Sequence, residues 1–348
     1  MEEVEELTRE LVRIPSYEDE TQAGDFIEEW LRDETDAEVD RDEAGNVLAY
    51  RDEPRTALVG HHDTVPPADG QVNDGTPSVD KRDGRLYGRG TADMKGAVAA
   101  AMVAFRDASA DATAFASFVG EERGGIGAKH ATTNGFVPDR AVVIEGSSGY
   151  SSPGSLDVAT AHRGRRELRV VAHGEAKHAG EGDDSSNAVY AAVDAINRMR
   201  QYESPTTEVE GGTLEGSLTV TGIEGAGEAT NVVPSQCEFV VDERTVPGVS
   251  PYKFESDVES EVVDEMPPME CDDIGFARKV RDAAREDKAS ELVVKPHATD
   301  AGWLAEAGSS CVICGPAEQG EAHTDDESVS VKALERAEGT YRRLLERV

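Results

Sequence analysis

Positive charge is scarce in this chain. Only 35 of its 348 residues are Lys or Arg, nine of them Lys, against 71 acidic residues, giving a formal net charge of −36. Phosphate recognition needs the opposite field, so nucleic acid and anionic membrane are excluded as partners. Cysteine is sparse too: Cys237, Cys271, Cys311 and Cys314 have no framework spacing for a chain this long, which argues against dependence on disulfides. Two residues separate Cys311 from Cys314, but within an apolar run, and the pair reads as strand packing. No apolar stretch approaches the roughly 20 residues that span a bilayer. The amino terminus, Met1-Glu2-Glu3-Val4-Glu5-Glu6, is acidic where a signal peptide is basic, so the expected compartment is the cytoplasm. Internal repeats and low-complexity linkers are also missing.

What is present is acid spread along the whole sequence, as in Arg32-Asp33-Glu34-Thr35-Asp36-Ala37-Glu38, together with 34 glycines and long apolar-periodic segments. Such patterning indicates a globular body with an acidic surface and not a disordered acidic chain. Screening of surface self-repulsion by salt makes a salt-loving source a working hypothesis. Full stability and activity in dilute buffer, with no gain in molar salt, would sink it. The length exceeds what one hydrophobic core usually serves, and two domains are expected.

The spacing of apolar residues predicts helices over 4–12 and 21–31, and strands near 46–50 and 56–60. Residues 97–105 are small, apolar and helix-forming, directly after Gly90-Thr91-Ala92-Asp93-Met94-Lys95-Gly96. Two further buried strands, 113–120 and 141–144, end in Glu121-Glu122 and Glu145. From 157 to about 263 the pattern becomes strand 167–172, helix 186–200, strands 213–221 and 237–245, and a short polar helix from Pro251. Then helix 274–285, strand 291–295, helix 301–307, strand 311–314 and a last helix from Val331 resume the first pattern. Strands alternating with helices, with polar residues at strand ends, indicate an α/β layer fold with its site beyond the carboxyl edge of the sheet.

The most telling strand end is Leu58-Val59-Gly60-His61-His62-Asp63-Thr64-Val65-Pro66. Alternation along a strand points His61 and Asp63 one way and His62 the other. An imidazole beside a carboxylate suits a metal ligand whose second ring nitrogen is held by that carboxylate. Two satisfied structural histidines are the competing reading for the dipeptide alone. The collected strand-end residues, His61, Asp63, Asp93, Glu121, Glu122 and Glu145 with the later His323, supply what a pair of divalent ions needs, zinc being favoured by the histidines. A water acidified by such a pair still needs a base, and in Glu121-Glu122 one side chain can ligate while its neighbour takes the proton.

These motifs, in this order and over essentially the whole chain, resemble the co-catalytic zinc metallopeptidase family of acetylornithine deacetylase, succinyl-diaminopimelate desuccinylase, aminoacylases, glutamate carboxypeptidases and dipeptidases. The resemblance implies a mixed sheet flanked by helices that carries a dinuclear metal site. It also implies an inserted α+β, ferredoxin-like lid and dimerisation domain over 158–265, between catalytic parts 1–157 and 266–348. His61, Asp93 and Glu145 would hold one ion and Asp93, Glu122 and His323 the other, with zinc most expected and cobalt possible. Glu121 would be general base and then acid, and Asp63 would orient His61. His178, in Lys177-His178-Ala179, would stabilise the oxyanion across a homodimer, while Asn231 and Arg244 would hold a substrate carboxylate.

Two departures from the resembled pattern stand out. Only residues 250–270 remain for the lid's closing helix and strand, which suggests a trimmed crossover. The segment 179–187 lacks a proline found in relatives and is more acidic. The resulting expectation is removal of an acyl group from the nitrogen of an amino acid, with a carboxypeptidase or dipeptidase as the alternative. A metal-free binding protein on the same fold is the remote alternative; the five-ligand set and its base argue against it.

Overall fold

The computed structural model describes residues 2–181, 186–225, 229–285 and 289–347. Its centre is a nine-stranded mixed sheet. In spatial order the strands are Glu38–Arg41, Val47–Arg51, Thr113–Phe118, Thr56–His61, Arg140–Val143, Ser310–Ile313, Val158–His162 and Met269–Glu270, with Leu292–Lys295 also paired to Val158–His162. The middle four, from Thr113–Phe118 to Ser310–Ile313, run parallel. Their side chains are buried on both faces, as expected where helices cover a parallel sheet.

Alternation along Thr56–His61 sends Leu58 into one apolar cluster and Ala57 with Val59 into the other. The first cluster holds the helix Lys95–Asp107, buried through Phe105 along a run of alanines that lets neighbours approach closely. Helices Glu2–Arg13 and Val331–Leu345 pack on it. The second cluster lies under helices Ile126–Thr133 and Ala301–Ala307. Among the described residues no helix is long and apolar enough to cross a membrane.

A separate four-stranded antiparallel sheet has the order Ser217–Gly225, Gln236–Thr245, Gly164–His173, Val258–Met266. Its core is closed by the helix Ala188–Met199, whose Ala188, Ala192, Ala195 and Met199 recur at helical spacing and point inward. This is the ferredoxin-like strand order with a single crossover helix.

Four expectations need correction. Val158–His162, placed with the inserted segment by the sequence reading, pairs within the large sheet, and the small sheet begins at Gly164. The polar helix from Pro251 does not form. Tyr252 and Phe254 pack their rings 5.0 Å apart against the core, and two-residue spacing puts both on one side of an extended chain where a helix would separate them. The last crossover is trimmed, with no helix between Gln236–Thr245 and Val258–Met266, but the closing strand that the sequence left unclear is present as Val258–Met266; its exposed acidic face hides the strand signal. The predicted strand 213–221 is two strands, Gly212–Glu215 and Ser217–Gly225, broken at Gly216, and the first pairs with Thr206–Val209. Of the acidic segment 179–187, residues 182–185 lie outside the described residues.

Candidate metal centre and active site

The site forms where the strands end. His61 closes Thr56–His61, Glu121 and Glu122 follow Thr113–Phe118, Glu145 follows Arg140–Val143, and Asp93 precedes helix Lys95–Asp107. Gly124 and Gly125, at φ +85° and +68°, turn the chain after Glu122; a side chain on Gly125 would strike Trp303 and Asp300. His323 itself sits at φ 60°, an uncommon conformation for a residue with a β-carbon, on the loop that brings it to the cluster.

His61 Nε2 lies 3.1 Å from Asp93 Oδ1 and 3.1 Å from Glu145 Oε1. His323 Nε2 lies 3.0 Å from Asp93 Oδ2 and 2.8 Å from Glu122 Oε1. The two oxygens of Asp93 therefore face different imidazoles. Donors held at about 2.0–2.1 Å by a tetrahedral ion stand about 3.3 Å apart. Each imidazole thus stands at the spacing of one coordination shell from two carboxylates, and Asp93 is common to both. His61, Glu121 and Glu145 can also be grouped around one ion. The distances favour Asp93 in that shell, because Glu121 Oε2 is 4.0 Å from His61 Nε2.

Asp63 secures this arrangement. Its Oδ1 lies 3.3 Å and its backbone oxygen 3.1 Å from His61 Nδ1, so that a proton on Nδ1 leaves the Nε2 lone pair available. The same carboxylate accepts the amide N–H groups of Glu121 and Glu122, each at 3.1 Å. His62 points away as expected: Nδ1 meets Ser117 Oγ at 2.9 Å, and burial pushes its pKa down to about 3, so it stays neutral.

The electrostatics of the residues favour added positive charge. Burial opposes a charged His61, yet Asp63, Asp93 and Glu145 outweigh it and raise its pKa well above the ordinary value. Asp93 and Glu122 push His323 up to about 10. Burial, opposed by His61 and reinforced by Asp300, Glu145 and Glu122, raises Glu121 well above the usual carboxylate range. A cluster that draws protons onto its imidazoles in this way is one that divalent ions would neutralise, so donor types, spacing and charge all fit a metal pair.

Several partners escaped the sequence reading. Lys295, closing Leu292–Lys295, places Nζ 3.1 Å from Glu145 Oε2. Glu327 Oε1 accepts the amides of Ala92 and Asp93 at 3.0 and 3.2 Å, and its Oε2 meets Arg89 Nη1 at 2.5 Å. Neither had a local signal: one is a lone lysine after an apolar run, the other one more acid in an acid-rich loop. Asp300 is buried with no hydrogen-bond partner for either oxygen among the described residues, and burial, with the nearby Asp63, Glu145 and Glu122 charges added, pushes its pKa up to about 8.

A cavity of about 490 Å³ opens on the cluster, and Arg165, Arg244, Lys295 and His297 also line it. Arg244 is engaged by Asp242, with Nε–Oδ1 2.7 Å and Nη2–Oδ2 3.1 Å. His178 and Asn231 come together with each other, Nε2 to Nδ2 3.3 Å, and both are exposed; neither lines the cavity. The structure thus gathers His61, Asp63, Asp93, Glu121, Glu122, Glu145 and His323 in one place and brings Arg244 to its cavity. His130, His162 and His173 meet Asp42, the Arg163 carbonyl and Glu259 respectively.

Comparison with known proteins shows the family. A probable carboxypeptidase of Aspergillus clavatus is 28% identical over 97% of this chain and 87% of its own length. An acetylornithine deacetylase of Myxococcus xanthus is 28% identical over 82% of this chain and 78% of its own. Among solved structures, aminopeptidase PepT from Bacillus cereus superposes with a TM-score of 0.78 at 20% identity, covering 99% of this chain and 98% of that one. Residues 57–347 match the model of peptidase family M20/M25/M40, and the chain belongs to that family of metallohydrolases acting on amide bonds.

Proposed function

We propose that this protein removes an N-acyl group from an amino acid, as acetylornithine deacetylases and succinyl-diaminopimelate desuccinylases do, using two divalent ions. The observation that carries the two-ion reading is Asp93, whose two carboxylate oxygens face His61 and His323 at 3.1 and 3.0 Å. His61, Asp93 and Glu145 would hold one ion and Asp93, Glu122 and His323 the other. With nitrogen and oxygen donors and no thiolate, zinc is the favoured ion and cobalt an acceptable one. Bound there, the ions would polarise the amide carbonyl and acidify water.

The chain's residues do the rest. Glu121, buried beside the shell and basic for a carboxylate, takes the proton of the attacking water and returns it to the leaving amine. Asp63 keeps the His61 tautomer. Arg244 and Asn231 hold the substrate carboxylate, Arg244 by turning its fork from Asp242 to the ligand. His178 and Asn231 do not line the cavity of their own chain, which supports their supply by the second copy of a homodimer. His178 then stabilises the oxyanion. We assign the four-stranded sheet as the lid and dimerisation unit. The acidic surface supports work in concentrated salt.

The second reading is a carboxypeptidase or dipeptidase, and the Aspergillus relative supports the carboxypeptidase. A panel of N-acetyl and N-succinyl amino acids assayed beside dipeptides, with zinc or cobalt in high salt, separates the two. Turnover confined to dipeptides replaces the first reading with the second. Absence of any bound ion after dialysis, with no amide hydrolysis, would favour a metal-free binding protein.

A further inference from the structure

Glu145 uses its two oxygens differently. Oε1 faces His61 Nε2 at 3.1 Å, whereas Oε2 accepts from Lys295 Nζ at 3.1 Å and from the Gly146 amide at 3.2 Å. Lys295 and Glu145 are each 7% exposed, so this ion pair is shielded from water. Among the described residues, Lys295 is the lysine or arginine that bonds a carboxylate of either shell. It arrives from a strand that carries none of the ligands, Leu292–Lys295, held in parallel register on Val158–His162.

We propose that Lys295 is a positioning residue for one metal shell: its ammonium takes the second oxygen of Glu145 and leaves that side chain a single-oxygen ligand. The inference rests on the two-ion reading. A carboxylate free at both oxygens could chelate the ion or swing away from His61, and the ammonium removes both options. It also offsets part of the negative charge that Asp63, Asp93, Glu121, Glu122 and Glu145 gather at the site. Glu122, the counterpart carboxylate in the other shell, bonds no lysine or arginine among the described residues, so the two sites should differ in their response to losing Lys295.

Cobalt(II) titration of the full chain against a competing chelator tests this. The wild type should bind two ions. K295M should weaken one of the two sites by about 10–100-fold, the usual effect of removing a partner behind a ligand. The other site should stay within about twofold, and K295R should recover most of the loss. K295Q, which keeps a donor and removes the charge, provides a second variant should K295M not fold, with about a tenfold loss expected at the same site. Unchanged affinity at both sites, or an equal loss at both, overturns the role of Lys295. A wild-type chain that binds no ion overturns the two-ion reading itself, and this role with it.

Discussion

Glu327 and Arg89 form a buried ion pair at 2.5 Å, with Glu327 fully inaccessible, and the other Glu327 oxygen receives the amides that precede the Asp93 side chain. The loop that carries His323 is thereby tied to the loop that carries Asp93. Glu327→Ala strands a buried guanidinium and should destabilise the fold by about 3–5 kcal/mol. Urea denaturation reads the change. A cost under about 1 kcal/mol, as for an exposed pair, would show that this tie contributes little.

Glu121→Gln should keep both ions, because Glu121 stands outside the two trios, and should lower kcat by about a hundredfold to ten-thousandfold. Metal analysis alongside steady-state kinetics on an N-acyl amino acid checks both halves. Wild-type turnover would remove Glu121 from the role of base, and loss of an ion would make it a ligand.

The two adjacent histidines should separate cleanly. His61→Ala is expected to empty one site, whereas His62→Leu should leave metal content nearly intact and cost about 1–3 kcal/mol through the unpaired Ser117 hydroxyl. Equal metal loss in both variants would refute this division.

The homodimer reading makes a mixing prediction. Glu121→Gln and His178→Ala should each be nearly inactive alone. If His178 acts across a two-fold dimer, subunits exchanged at equal ratio should recover about a quarter of wild-type activity, since half the dimers then hold one intact site of two. No recovery, with exchange verified by mass, would place His178 in its own chain's site or outside catalysis.

With 71 acidic residues against 35 basic, surface repulsion should dominate in dilute buffer. Thermal melting should therefore rise steadily on going from dilute buffer to molar potassium chloride, well past the range that screens ordinary surface pairs. A flat profile would remove the salt-adapted reading.

Much of the site was legible because its residues end apolar strands: His61, Glu121 and Glu145 each follow a run whose burial fixes where the chain emerges. Lys295 and Glu327 were not legible. Each has a partner far away in sequence, 150 residues for Lys295 and 238 for Glu327, and only the closed fold brings them together. The Pro251 segment misled for a related reason, since its aromatic pair is satisfied by the small sheet's core and not by local turn structure. The edge strand Glu38–Arg41 half-exposes acidic and basic side chains and carries little apolar signal.

Asp63 spends one oxygen on the amide of Glu121, the other on the amide of Glu122, and lies against the His61 ring. Those three residues belong to the ends of two neighbouring strands, so the carboxylate works as a fixed-length spacer between them. Any displacement of one strand end is handed to the other. The ligand and the proton acceptor therefore travel together, and their separation is set by one short side chain instead of by the flexibility of two loops.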